Sequence, residues 1–224
     1  MYQEGVSQYF DAKRIAARRV LGSDEARFRP SDLPANGEIR EQLLELVTLA
    51  EGEDRPQRLF AMRVVALTVM RELEPWHPRL IGSVWSGHAR RGSDIDVHVF
   101  GELDLLVRDL WGRGWEFASE EVLIRVPAGF RTFHHLHVTD RPFPVELSVY
   151  PLSERRAVTR SSVDGRPIDR VSAARLEARL WEEHEDAWVD FRRSGRLDFE
   201  EGPLEGEFDG LLRELGGREE PDGG

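Results

Sequence analysis

Gly82-Ser83-Val84-Trp85-Ser86-Gly87-His88-Ala89-Arg90-Arg91-Gly92-Ser93-Asp94-Ile95-Asp96-Val97-His98-Val99-Phe100 is the stretch on which the fold turns. From Asp94 onward the residues alternate. Ile95, Val97 and Val99 point one way and Asp94, Asp96 and His98 the other, the period-2 pattern of a strand with one buried face. Just upstream, Arg79 to Val84 is a short apolar run between Pro78 and Gly87, which predicts a strand ending on Gly82-Ser83.

Outward from this stretch the periodicity changes. Tyr9 to Leu21 and Glu38 to Ala50 carry apolar residues at helical spacing, and Gln57 to Leu73 is apolar nearly all round, which predicts a buried helix ended by Pro75 and Pro78. Downstream, Leu103 to Trp111 reads as a short helix. Trp115–Val126, Thr132–Val138 and Val145–Tyr150 read as three further strands, and Ser172 to about Phe191 as a helix. The expected fold is therefore α/β (α+β), a mixed sheet with N-terminal helices and a C-terminal helix. The expected divisions are an N-terminal helical segment (1–56), a core (57–151), a C-terminal helical segment (152–195) and an acidic, partly disordered tail (196–224), with a short helix over Phe208–Leu215.

Composition narrows the chemistry. There is no cysteine among the 224 residues, which excludes disulfides, thiolate metal sites and cysteine nucleophiles. Lys13 is the single lysine, so any contact to phosphate falls to arginine. The net charge is −11, and Leu197–Gly224 holds ten acidic residues against Arg213 and Arg218. That balance disfavours a long nucleic-acid partner, whose affinity comes from clustered cations. No stretch is long and apolar enough to cross a bilayer, and no basic-then-apolar segment opens the chain, so a cytoplasmic protein is expected.

Three features then carry chemistry together. Asp94 and Asp96 lie two apart on a strand, so their carboxylates share a face and repel unless a cation neutralises them. Glu146 is an isolated carboxylate in the apolar strand Val145-Glu146-Leu147-Ser148-Val149. Gly82 allows close backbone approach and Ser83 adds a hydroxyl, while Arg90, Arg91 and Ser93 sit between the motif halves where they can meet phosphate. Oxygen donors of this kind suit magnesium, which keeps open positions for substrate phosphates.

The order Gly82-Ser83, ten residues, then Asp94-Ile95-Asp96 resembles the signature of the polymerase-beta-like nucleotidyltransferase superfamily, in particular its small members: minimal nucleotidyltransferases, including antitoxin-type ones, and aminoglycoside adenylyltransferases. The resemblance covers roughly Gln57 to Tyr150. It implies transfer of a nucleoside monophosphate from an NTP, ATP foremost, to an acceptor hydroxyl. It also implies that Asp94, Asp96 and Glu146 are catalytic and hold magnesium or manganese, and that Gly82, Ser83, Arg90, Arg91 and Ser93 bind the nucleotide. Small members often carry an arginine soon after the Gly-Ser pair; here Val84 and Trp85 stand there, with Trp85 a candidate base platform.

Other motifs are assigned bland roles. The alternation through Val97 and Val99 excludes an EF-hand loop. Phe133-His134-His135-Leu136-His137 has no cysteine beside it and is read as structural or substrate-contacting, with His135 and His137 on one strand face. Trp181 and Trp188 are read as helix packing. An adenylyltransferase-like enzyme acting on a small molecule is favoured over one acting on tRNA or protein. The alternative is a catalytically silent NTP- or partner-binding module of the same fold, antitoxin-like. Neither oligomeric state nor acceptor is readable from the residues.

Overall fold

In a computed structural model the described residues are 9–21, 32–52, 54–126, 129–160, 166–199, 204–206 and 208–216. They divide into two compact units, Met1–Gly52 with Thr159–Ile168, and Glu53–Val158 with Asp169–Gly224. The first contains helices α1 (Tyr9–Leu21) and α2 (Asn36–Glu51). Everything predicted to carry chemistry lies in the second.

That unit is built around α3 (Asp54–Glu72), whose residues Arg58–Met70 are all buried, as its unbroken apolar pattern predicts. It contacts a five-stranded mixed sheet of β1 (Arg79–Leu80), β2 (Ile95–Phe100), β3 (Phe117–Val126), β4 (Gly129–Val138) and β5 (Val145–Tyr150), in spatial order β1-β2-β5-β4-β3. β2 and β5 run parallel; the other neighbours are antiparallel. Their register places Ile95, Val97 and Val99 beside Val145, Leu147 and Val149 in the core, and Asp96, His98 and Phe100 beside Glu146, Ser148 and Tyr150 on the other face. The mixed α/β class expected from the periodicity is the class observed.

The Arg79–Val84 run is strand only at Arg79–Leu80. Gly82–Ser86 is a one-turn helix, α4, so Gly82 and Ser83 begin a helix and do not end a strand. Gly82 takes φ 71°, a turn an apolar run of this length conceals. α5 (Leu103–Gly112) follows β2. Trp115 falls outside β3, buried under the Arg141 guanidinium 4.2 Å from its ring. The C-terminal helix is two, α6 (Ala173–Glu183) and α7 (Glu185–Ser194), broken at His184. A ribbon of β6 (Arg196–Leu197) and β7 (Leu204–Glu205) precedes α8 (Asp209–Glu214). Leu197, Phe208, Leu211 and Leu212 are buried in the core, so the acid-rich segment supplies apolar packing as well as charge. The end beyond Gly216, expected disordered, lies outside the described residues. Among the described residues no helix is long and apolar enough to cross a membrane.

Arg63, 1 % exposed, lies against the break between α6 and α7. It donates to the Val84 carbonyl (3.2 Å) and to Glu183 (2.6 Å), and meets His184 Nε2 at 3.0 Å. Burial lowers its pKa, and Glu183 opposes that shift. A buried cation with this many partners pins α3, α4 and α6 together. Arg63→Ala is expected to cost about 2–4 kcal/mol in urea unfolding, because it strips partners from buried acceptors. A loss below about 1 kcal/mol would show that water replaces the guanidinium there.

Candidate active site

The site forms where β2, β5 and β4 lie side by side. Asp96 is the Cα partner of Glu146, and Glu146 in turn of His137. One step along, His98 faces Ser148 and Ser148 faces His135. Register alone thus places Asp96, Glu146, His135 and His137 on a single face, because strand side chains alternate. Asp94 immediately precedes β2.

Gly82 packs directly against this row. A Cβ built on it would stand 2.2 Å from Asp96 Oδ2, so the absence of a side chain at 82 is what lets the carboxylate lie where it does. Ile81 donates to the Asp96 carbonyl at 3.0 Å, which ties the start of α4 to β2. Ser83 follows on the first turn, half-buried.

The carboxylates divide electrostatically. Burial, then the charges of Glu146 and Asp94, push Asp96 up to about 7. Burial and Glu146 raise Asp94 as well. Glu146 moves the other way: its bond to His135, Nδ1 to Oε1 at 2.5 Å, lowers it, and the same bond raises His135. Neighbouring carboxylates whose pKa values are driven apart are a mark of functional sites. The charges opposing the shifts of Asp94 and Asp96 are the histidines His137 and His135 respectively, with no arginine or lysine among them. Hard oxygen donors short of positive charge fit a divalent cation of the magnesium type. Among the described residues, however, no group of three or more His, Asp or Glu is arranged to hold a metal ion. Glu146 lies against His135 Nδ1.

The remaining predicted residues serve the loop. The Ser93 hydroxyl accepts from the Arg90 backbone N–H (3.0 Å) and the Ser93 N–H donates to the Arg90 carbonyl (3.0 Å), closing a tight turn. Arg90 is half-buried in that turn and Arg91 is exposed beside it. Trp85 is not a base platform. It is 8 % exposed, lies under the guanidinia of Arg179 (3.8 Å) and Arg175 (4.9 Å), and donates from Nε1 to Asp169. Trp181 and Trp188 meet edge-on at 6.5 Å, with Trp188 fully buried.

Two groups on this face escape a reading of spacing alone. His98 is buried; burial and then Arg170 lower its pKa to about 3. The neutral ring accepts from Arg170 Nε at 2.9 Å and lies against Tyr150. His135 is the other. Its signal in the sequence is parity, Phe133-x-His135-x-His137, but parity does not name the strand opposite.

No family model and no curated protein matches the chain. Among solved structures, that of Cid1 in complex with the UTP analogue UMPNPP overlaps 51 % of this chain and 36 % of its own at 17 % identity and TM-score 0.29. A second Cid1 structure, concerned with its RNA terminal uridylyl transferase activity, overlaps 50 % and 36 % at 17 % identity and TM-score 0.27. A third, of the Cid1 poly(U) polymerase with MgGTP bound, overlaps 51 % and 38 % at 16 % identity and TM-score 0.27. This chain therefore spans little more than a third of the length of each, and at these TM-scores the likeness assigns no family.

Proposed function

We propose that this protein is a metal-dependent nucleotidyltransferase, moving a nucleoside monophosphate from an NTP to an acceptor hydroxyl with release of pyrophosphate. One observation carries the reading: the Asp96 carboxylate is seated against the bare Cα of Gly82, with Glu146 directly across from it on β5. The close approach and the carboxylate row match the two halves of the sequence motif. In this reading Asp94 and Asp96 hold magnesium or manganese, and Gly82 with Ser83 contacts the nucleotide. Arg90 and Arg91 lie one turn away as candidate cations for the triphosphate. The bound cation would neutralise the two aspartates and the developing charge on the phosphates. The acceptor favoured by a net charge of −11 is a small hydroxyl compound, ahead of tRNA or a protein.

A second reading rests on one specific observation. Glu146 is engaged by His135, and among the described residues no three metal-binding side chains converge, which favours a silent NTP-binding module. Calorimetric titration with ATP, GTP, CTP and UTP in the presence of Mg²⁺, on the wild type and on Asp94→Asn, separates the possibilities. Metal-dependent binding of one NTP, lost in the variant and accompanied by pyrophosphate release, supports the transferase. Binding without turnover for any hydroxyl acceptor identifies the silent module. Failure of the folded wild type to bind any NTP rejects both.

A further inference from the structure

The polar face of the sheet continues past the carboxylates to a group of arginines. Two of them converge on His98. Arg79 on β1 is its Cα partner, half-buried on this face. Arg170 donates from Nε to His98 Nδ1 at 2.9 Å, and from Nη1 to the carbonyls of Glu154 (3.3 Å) and Ala157 (3.0 Å). Those last two bonds draw in the segment that carries Arg155, also half-buried. Burial, then the charges of Arg155 and Arg170, lower the pKa of Arg79, with no carboxylate opposing them. The neighbouring acid, Glu154, is taken by Arg131 at 2.7 Å. Among the described residues Arg79 uses only Nη1, on the carbonyls of His77 (3.4 Å) and Pro78 (2.7 Å). Guanidinia gathered without a carboxylate repel one another, and a bound anion relieves that repulsion. Their forked donors fit the oxygens of a phosphate.

The placement says which phosphate. Ile81 donates to the Asp96 carbonyl, so Gly82 and Ser83 lie toward the Asp94 end of β2, whereas Arg79 and His98 lie toward its Phe100 end. Asp96 and His98 are two residues apart, which is about 7 Å along a strand. The arginines therefore stand across the carboxylate row from the residues assigned to the NTP.

We propose that Arg79, Arg155 and Arg170 form a phosphate-binding site, and that the phosphate belongs to the acceptor, an alcohol that also carries a phosphate monoester. The site stands on the arginines alone; its assignment to the acceptor rests on the nucleotidyl-transfer reading above. Arg170 shapes the site through His98 and the Glu154–Ala157 segment, and Arg79 and Arg155 supply further donors.

The test is calorimetric titration of the full chain with methyl phosphate, without metal and at low salt, where surface charges are least screened. The proteins are the wild type, Arg79→Gln, Arg155→Gln and Arg156→Gln. Arg156 is the control: it is exposed, next in the chain to Arg155, and does not act on Arg79. Arg155→Gln leaves the bonds of Arg79 and Arg170 in place, so the test survives any loss of stability in Arg79→Gln. The expected result is one methyl phosphate per chain with a Kd at or below about 1 mM. Affinity should fall at least about tenfold in Arg79→Gln and Arg155→Gln and stay within about twofold in Arg156→Gln. Absence of binding to the wild type, or an equal loss in Arg156→Gln, overturns the site. Titration of Mg-NTP onto protein saturated with methyl phosphate then separates the two sources of phosphate. An NTP affinity within about threefold of that of the unsaturated protein supports the acceptor. Competition between the two assigns the arginines to the triphosphate of the donor and overturns the acceptor assignment. Binding of methyl phosphate by a protein that takes no NTP rejects the transfer reading and the acceptor with it, a result distinct from loss of the phosphate site.

Discussion

Asp96→Asn is expected to remove metal-dependent nucleotide binding and, in the absence of metal, to make the protein more stable at pH 8. Both effects have one origin. The folded state lifts the Asp96 carboxyl to about 7, from an ordinary value of 3.8, chiefly by burying it and then through Glu146 and Asp94. A raised carboxyl binds its proton more tightly in the folded state than in the unfolded one. Its contribution is therefore fully favourable below about pH 3.8, is lost as pH rises toward 7, and is absent above that. At pH 8 the wild type holds an ionised Asp96 at a cost of about 2–4 kcal/mol, which asparagine, resembling the protonated acid, does not incur. The variant should melt higher by on the order of 5–10 °C at pH 8, and the difference should close as the pH approaches 4. Magnesium should raise the melting temperature of the wild type and leave the variant unmoved. A variant less stable than the wild type at pH 8 would mean that Asp96 is satisfied without a cation, and the metal assignment would fall.

Gly82→Ala is expected to be the most damaging glycine-to-alanine change among the described residues, since its built Cβ makes the closest approach of any. It adds a Cβ 2.2 Å from Asp96 Oδ2, at a residue with φ 71°. The left-handed backbone costs about 1 kcal/mol for alanine, and the collision must then be relieved by moving the carboxylate or α4. NTP affinity should fall by at least about tenfold if Asp96 has to turn aside, since one lost charge-assisted contact is worth about that much. Gly92 is the control. It has φ 74° but nothing within 4 Å of its built Cβ, so Gly92→Ala bears the backbone cost alone. Differential scanning calorimetry and nucleotide titration on the two variants isolate the contact with Asp96. Equal losses of affinity in both would reduce Gly82 to a turn residue.

The helical and strand periods by themselves determined the buried helix α3, the alternation of β2 and β5, and the α/β class. Each depends on residues adjacent in the chain, so the pattern and the structure express the same local geometry. The Gly82–Ser83 and Asp94–Asp96 pairing was legible for a related reason: both halves lie within fifteen residues of one another in the chain. What only the tertiary structure decided was every relation set by strand register or packing. Glu146 and His135 are eleven residues apart and meet because β4 pairs antiparallel with β5 in one register and not the next. Trp85 reads as an available aromatic until Arg175 and Arg179, some ninety residues downstream, close over its ring. The division between α6 and α7 is hidden in a continuous amphipathic pattern, and the residue it is packed against, Arg63, is buried on another helix and reaches Glu183 and His184. Local periodicity carries the energy of burying a face, whereas the identity of the group across that face depends on a second segment whose position no local pattern records.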